Sequence, residues 1–266
     1  MKEKNSPIGI FDSGIGGLTV LKEVSRLLPK EDIVYFGDTA RVPYGNKSKS
    51  TVIKFSTENV LFLLRKKVKI VIVACNTSSA LALASLQHTF NIPILGVIEA
   101  GVSKAVKMTQ SRKIGVIGTK STVESKSYNL LVKKLDKSVL VYGQCCPLFV
   151  PLVEEGILKG KIVDEVIKLY LADFKNKGID TIILGCTHYP LLKSALVQFF
   201  KGVFIVDSAR EVARHTKEIL FANSLLSERK TKGRKDFYLS DESKGFSDLA
   251  HLVLHQPIQK PKIINV

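Results

Sequence analysis

One arrangement occurs twice in this chain and constrains it more than any other feature. Ile70 to Ala80 reads IVIVACNTSSA, and Thr181 to Leu192 reads TIILGCTHYPLL. Each is a short apolar, β-branched run, then a cysteine, then a polar residue suited to capping a helix. A run of that kind, apolar on both faces, predicts a buried parallel strand, and Asn, Thr and Ser are preferred helix N-caps. Cys75 and Cys186, 111 positions apart, are therefore expected at the carboxyl ends of two strands, where open α/β sheets place ligands. Backbone N–H groups at such a position point at anions, and a thiol there is expected to be more acidic than usual. After each cysteine helix a further strand-like run recurs, Asn91–Leu95 and Gly202–Val206. Ile8–Ser13 (IGIFDS) and Ile114–Thr119 (IGVIGT) also resemble each other. The expected fold is α/β: two similar three-layer αβα lobes with mostly parallel sheets, related by a pseudo-twofold, with the active site in the cleft between them.

The rest of the chain narrows the setting. At 266 residues it is long enough for two medium domains with real cores. No apolar run approaches the length of a membrane span, and MKEKNSPIGIF carries no apolar signal region, so a cytoplasmic location is expected. The four cysteines, Cys75, Cys145, Cys146 and Cys186, form no C-x-x-C pair, which argues against structural zinc. A reducing compartment argues against disulfides, and Cys145 and Cys146 read as buried packing residues. The net charge is +16, but its basic residues are dispersed. The densest cluster, Arg229–Lys235 (RKTKGRK), lacks interleaved aromatics, which argues against nucleic acid as the main partner. The same field favours a small anionic substrate.

In chain order, Pro7–Phe11 reads as a strand feeding DSGIGGLTVL. Gly14, Gly16 and Gly17 allow a tight turn but lack the dinucleotide-binding spacing. Asp12 and Ser13 fall at a strand end like that of Cys75, although Asp12 would also serve as a plain helix cap. Leu18–Leu28 is a helix and Ile33–Phe36 a strand, followed by a long loop, GDTARVPYGNKS. Ser50–Arg65 is helical, Ile70–Ala74 a strand, and Ala80–Leu86 a strong helix former. Beyond Ile92–Leu95, GVIEAGV marks a crossing into the second half. Ala100–Met108 is a helix, Ile114–Gly118 and Val139–Gly143 are strands, and Thr119, Ser121 and Thr122 supply hydroxyls between them. Residues 145–156 (CCPLFVPLVEEG) read as an apolar, Pro-broken loop ending in the acids Glu154 and Glu155. Ile162–Lys177 is one amphipathic helix ended by Gly178, and Thr181–Leu184 and Val203–Val206 are strands. Asp207–Leu225 is a long helix, Asp236–Ser240 a strand, Ser247–Leu254 a short helix and the tail irregular. The expected domains are 1–97 with 208–266, and 98–207.

Two thiols facing one pocket suit a proton exchange at a carbon acid: one face loses the proton and the other regains it, which inverts a stereocentre. No cofactor signature and no metal-spaced His cluster is visible. Each thiol needs a tuned neighbour. Asp12 is the candidate for Cys75, and His188, two residues after Cys186, for the other, although His188 would also serve as a structural histidine. Helix N-termini offer electrostatic help for a carbanion. Rival readings stay open: nucleophilic Cys–His catalysis on an acyl substrate, which would leave one cysteine idle, and a basic nucleic-acid or protein-binding module without chemistry.

At these residues the chain resembles the glutamate racemases of the cofactor-independent aspartate/glutamate racemase superfamily. The resemblance rests on FDSGIGGLTV (11–20), GDTARVPYG (37–45), ACNTSSA (74–80), GVIEAG (96–101), CPLFVPLVEEG (146–156) and GCTHYPLL (185–192). It implies a cofactor-free, two-base interconversion of L- and D-glutamate that supplies D-glutamate for peptidoglycan, with aspartate as the alternative acidic amino acid. Cys75 would take the proton from D-glutamate and Cys186 from L-glutamate. Asp12 would assist Cys75; His188, with Glu154, would assist Cys186. Ser13, Asn76, Thr77, Thr187, Thr119 and Thr122 would contact the amino acid, as would Asp12 and His188, with Tyr44 and Gly45 closing the pocket. The resemblance also implies a homodimer. Ala100 stands where the family commonly has proline, at a crossover turn, Cys145 has no family role, and the short N-terminus is expected to lack an activator-binding extension.

Overall fold

The computed structural model describes residues 3–243, 245–255 and 258–264. Two parallel sheets carry the architecture. The first has six strands in the order β10-β9-β2-β1-β3-β4, formed by β1 (Ile8–Asp12), β2 (Ile33–Gly37), β3 (Ile70–Val73), β4 (Ile94–Gly96), β9 (Lys235–Leu239) and β10 (Lys262–Ile263). The second has four in the order β6-β5-β7-β8, formed by β5 (Lys113–Gly118), β6 (Leu140–Cys145), β7 (Thr181–Gly185) and β8 (Phe204–Val206). Each ladder pairing is parallel. The central strands β1, β2, β3 and β7 are buried along their whole length. That is why their sequences are continuous apolar runs rather than alternating ones.

Helices connect and cover the strands. They are α1 (Leu18–Leu27), α2 (Lys49–Arg65), α3 (Asn76–Leu81), α4 (Leu83–Thr89), α5 (Val97–Met108), α6 (Lys120–Glu124), α7 (Ser127–Leu135), α8 (Phe149–Glu154), α9 (Lys161–Leu171), α10 (Lys193–Phe199), α11 (Ser208–Ala222) and α12 (Phe246–Leu254). Helix α11 packs on both α1 and α5, and its first turn is capped by Asp207, whose carboxylate accepts from the Ala209 N–H at 3.1 Å. Among the described residues no helix is long and apolar enough to cross a membrane.

Four local expectations change. Residues 145–156 contain a helix, α8, rather than only a loop. Pro151 is the third residue of α8, within the first turn, where no intrahelical N–H bond is required. The run after Cys75 splits at Ala82 into α3 and α4, and Ile162–Lys177 splits into α9 and a 3₁₀ turn, Ala172–Lys177. In the tail, Lys262–Ile263 forms a short strand on β9, while Gln256, Pro257, Asn265 and Val266 lie outside the described residues.

Register fixes where the chemistry can sit. Asp12 pairs with Gly37 and Phe11 with Val73, so Asp12, Asp38 and Cys75 emerge along one edge of the first sheet. Gly118 pairs with both Gly185 and Cys145, so Thr119, Cys146 and Cys186 emerge along one edge of the second. Both are carboxyl edges, and the two edges meet. Hydrogen bonds join them: Tyr128 donates to Asn76, Ser121 to Gly45 and Ser127 to Ala80, and the Thr77 hydroxyl pairs with those of Thr119 and Thr122.

Candidate active site

Cys75 is the N-cap residue of α3 and is buried. Its thiol donates to Ser13 Oγ at 3.5 Å. The helix-terminus argument predicts a more acidic thiol there, and the structure reverses it. Burial pushes the Cys75 thiol up to about 11, and the nearby Asp12 carboxylate adds to the rise. Hydrogen bonds from Ser78 and Ser13 offset it only in part. Desolvation outweighs the dipole because a thiolate here would lose nearly all of its water.

Asp12, at the end of β1, is fully buried. Its carboxylate accepts the Gly14 N–H at 3.2 Å and the Thr187 hydroxyl at 3.4 Å. Burial raises its pKa, while His188 and the Gly17 and Gly14 N–H groups pull it back. Asp12 therefore lies within electrostatic reach of Cys75 on its own side and of His188 across the cleft. The glycine loop allows this approach. A side chain at Gly16 would place its Cβ 2.4 Å from Thr187 Oγ1 and 2.6 Å from the His188 ring, so the loop backbone lies against the second lobe.

Cys186 follows β7 and is also buried. The sequence left open whether Cys186 and His188 face one another. They do: the sulfur lies 3.8 Å from His188 Nδ1, and His188 Nε2 lies 3.1 Å from Glu154 Oε1. The turn makes this possible. After Cys186 the chain does not enter an α-helix at once but passes through a 3₁₀ turn, Tyr189–Leu192, with Pro190 near its start. Glu154 comes from α8, the helix that sequence reading took for a loop. Burial alone would lower the His188 pKa, but hydrogen bonds to Cys186 and Glu154 raise it to about 10. His188 is therefore an imidazolium at neutral pH, and Glu154, about a third exposed, connects it toward solvent.

The hydroxyl residues named from sequence gather at the same seam. Thr77 Oγ1 lies 3.0 Å from Thr119 Oγ1 and 3.2 Å from Thr122 Oγ1, which are 2.9 Å from each other. Thr119 also caps α6 through the Thr122 N–H. Gly45 approaches this triad, and its carbonyl accepts from Ser121 at 2.7 Å. Tyr44 is turned differently from the expectation of a pocket wall. Its ring is buried against Phe55, and its hydroxyl donates to Asp38 and accepts from Asn59. Cys146 is buried, whereas Cys145 is half-buried rather than buried, and all four cysteines are free. No group of three or more His, Cys, Asp or Glu side chains among the described residues could hold a metal ion.

Sequence reading missed two participants at this seam and one residue behind Tyr44. Tyr128 donates to Asn76 Oδ1 at 2.8 Å. Thr19 donates to the carbonyls of Gly16 and Thr187, at 2.9 and 3.0 Å, fastening α1 to the Cys186 turn. Asp38 anchors Tyr44, Arg41 and Ser240. Asp38 follows the end of β2, so the strand-end rule that selected Asp12 would have found it. Nothing local marks Tyr128 or Thr19.

Comparisons with known proteins identify the family. The sequence model of the Asp/Glu/Hydantoin racemase family matches residues 8–216. A glutamate racemase of Geobacter metallireducens is 48% identical over 240 residues, covering 90% of this chain and 89% of its own. One from Aquifex pyrophilus is 54% identical over 207 residues, covering 77% of this chain and 80% of its own. Among solved structures, glutamate racemase from Francisella tularensis in complex with D-glutamate superposes with a TM-score of 0.93 at 40% identity, covering 98% of each chain. The strand-end cysteines, the polar seam between the sheets and these similarities lead to one assignment: the chain belongs to the Asp/Glu/Hydantoin racemase family and, within it, to the glutamate racemases, which are amino-acid isomerases.

Proposed function

We propose that the enzyme interconverts L- and D-glutamate by two-base proton transfer, with Cys75 and Cys186 on opposite faces of the substrate α-carbon. Cys75 takes the proton from D-glutamate and Cys186 from L-glutamate, and each returns a proton from its own side. Asp12 assists Cys75. His188, held by Glu154, stabilises the negative charge that appears on Cys186 when its sulfur gives up a proton. Ser13, Asn76, Thr77, Thr187, Thr119 and Thr122 bind the carboxylates and ammonium, and the backbone at Tyr44 and Gly45 closes the pocket. The observation that supports this reading best is the Asp12 carboxylate, which bonds Thr187 across the cleft and lies within electrostatic reach of both Cys75 and His188. Two proton-handling groups so close together suit a shared substrate atom better than two separate sites.

The raised Cys75 pKa fits an acid that waits as a thiol and becomes a base only when substrate and Asp12 are both in place. The product would feed peptidoglycan synthesis in the cytoplasm, with residues 1–97 plus 208–266 and 98–207 acting as two domains of each subunit of a homodimer. The test is to incubate purified enzyme with L-glutamate, without added cofactor, and to follow optical rotation. Full decay to the racemate, with L-aspartate at least about 100-fold slower, is the expected result. Loss of rotation with aspartate but not glutamate would move the assignment to the other acidic amino acid. A covalent acyl-enzyme with no racemisation would return it to Cys–His hydrolysis.

A further inference from the structure

Tyr128 is the second residue of α7, buried in the second lobe, yet its hydroxyl crosses the seam to donate to Asn76 Oδ1. Asn76 directly follows Cys75. On its other side the Tyr128 ring lies against Gly185, the residue before Cys186: a Cβ there would sit 3.4 Å from the ring edge and from the hydroxyl, and 2.7 Å from the Ile117 carbonyl. One side chain thus touches the immediate neighbours of both thiols. Asn76 also lines a small cavity of about 10 Å³ together with Cys186, Thr187, Asp207 and Ser208.

An asparagine amide offers one acceptor and two N–H donors. When the tyrosine hydroxyl occupies the acceptor, the amide cannot rotate without losing that bond, and its two donors keep a fixed direction. An anionic substrate with two carboxylates needs donors in fixed places. Burial keeps the tyrosine a neutral donor throughout the working range and outweighs the opposing influence of the Ser208 hydroxyl.

We propose that Tyr128 is a positioning residue of this site: it orients the Asn76 amide as a carboxylate donor and sets the seating of the Gly185–Cys186 strand end against the Cys75–Asn76 corner. The inference rests on glutamate being the substrate. Tyr128 need not touch the reacting atoms, and its effect passes through Asn76.

The test is a double-mutant cycle with Tyr128→Phe, Asn76→Ala and both together, reading KM and kcat in each direction and the melting temperature. Phenylalanine keeps the ring against Gly185 and removes only the hydroxyl. One lost hydrogen bond to a binding group predicts a KM raised about fivefold for both enantiomers, with kcat within about twofold. In the Asn76→Ala background, Tyr128→Phe should add nothing further. An unchanged KM, an additive loss in the double variant, or a collapsed melting transition in Tyr128→Phe would each overturn the proposal and leave Tyr128 as simple packing. Calorimetric titration of D-glutamate into parent and Tyr128→Phe proteins reads the same claim without turnover. A parent enzyme that binds but does not racemise would sink the mechanism above, not this one.

Discussion

The two cysteine corners share a topology and differ in the groups packed around their sulfurs. At the first, Cys75 caps a true α-helix, donates to a serine hydroxyl and lies near a carboxylate that is fully buried. At the second, Cys186 opens a 3₁₀ turn and faces an imidazolium tied to a partly exposed glutamate. The first corner is sealed and disfavours charge on its sulfur; the second brings a cation to its sulfur and leads outward. Related folds have thus surrounded two strand-end thiols with different groups, which under the proposed mechanism would match a proton donor and acceptor to the same carbon. The contrast teaches that strand position sets where a thiol sits, while packing and the next few residues set what it does.

The largest effect that tests this comparison comes from the sulfurs. Cys75→Ala and Cys186→Ala should each lower racemisation by at least about 10³-fold with the melting temperature little changed. A variant at either position that retained the parent rate would leave one corner without a role. Next come the two assisting groups. Asp12→Asn and His188→Asn should each cost about 10²-fold. L- and D-glutamate have equal free energies, so kcat/KM must fall equally in both directions, and the isotope effect is what reports which corner was changed. With α-deuterated substrates, Asp12→Asn should enlarge the effect from D-glutamate, and His188→Asn that from L-glutamate. Equal enlargement in both variants would erase the distinction between corners.

The smallest effect belongs to Glu154→Gln, which leaves His188 in place but removes its carboxylate partner. Activity should fall about tenfold, and the His188 pKa, read by NMR, should drop below its parent value of about 10. A histidine whose folded pKa is raised stabilises the fold fully below its unfolded value of 6.5 and loses that contribution as pH rises through about 10. The melting temperature of Glu154→Gln should therefore lose less between those limits than that of the parent. An identical pH dependence would show that Glu154 does not hold the histidine.

Much of this was legible in the sequence because it is local. Apolar runs announced the buried strands, Thr119 and Asp207 announced their caps, and each cysteine's place followed from the strand before it. Contacts distant in sequence were not legible. The Glu154–His188 pair was expected only through the family resemblance, because the composition of residues 145–156 reads as a loop and conceals α8. Tyr128 meets Asn76 across 52 positions of chain. The acidity of Cys75 was misjudged for the same reason: a helix terminus is visible in sequence, but the burial that outweighs it is a property of the assembled lobes.

The central claim is that two thiols serve opposite faces of one carbon, and isotopic labelling early in the reaction tests it most directly. With L-glutamate in deuterated water, the first D-glutamate formed should carry deuterium at the α-carbon, while unreacted L-glutamate stays unlabelled. The reverse reaction should label only L-glutamate. Deuterium appearing equally in substrate and product from the outset would mean one base working on both faces, and would contradict the account.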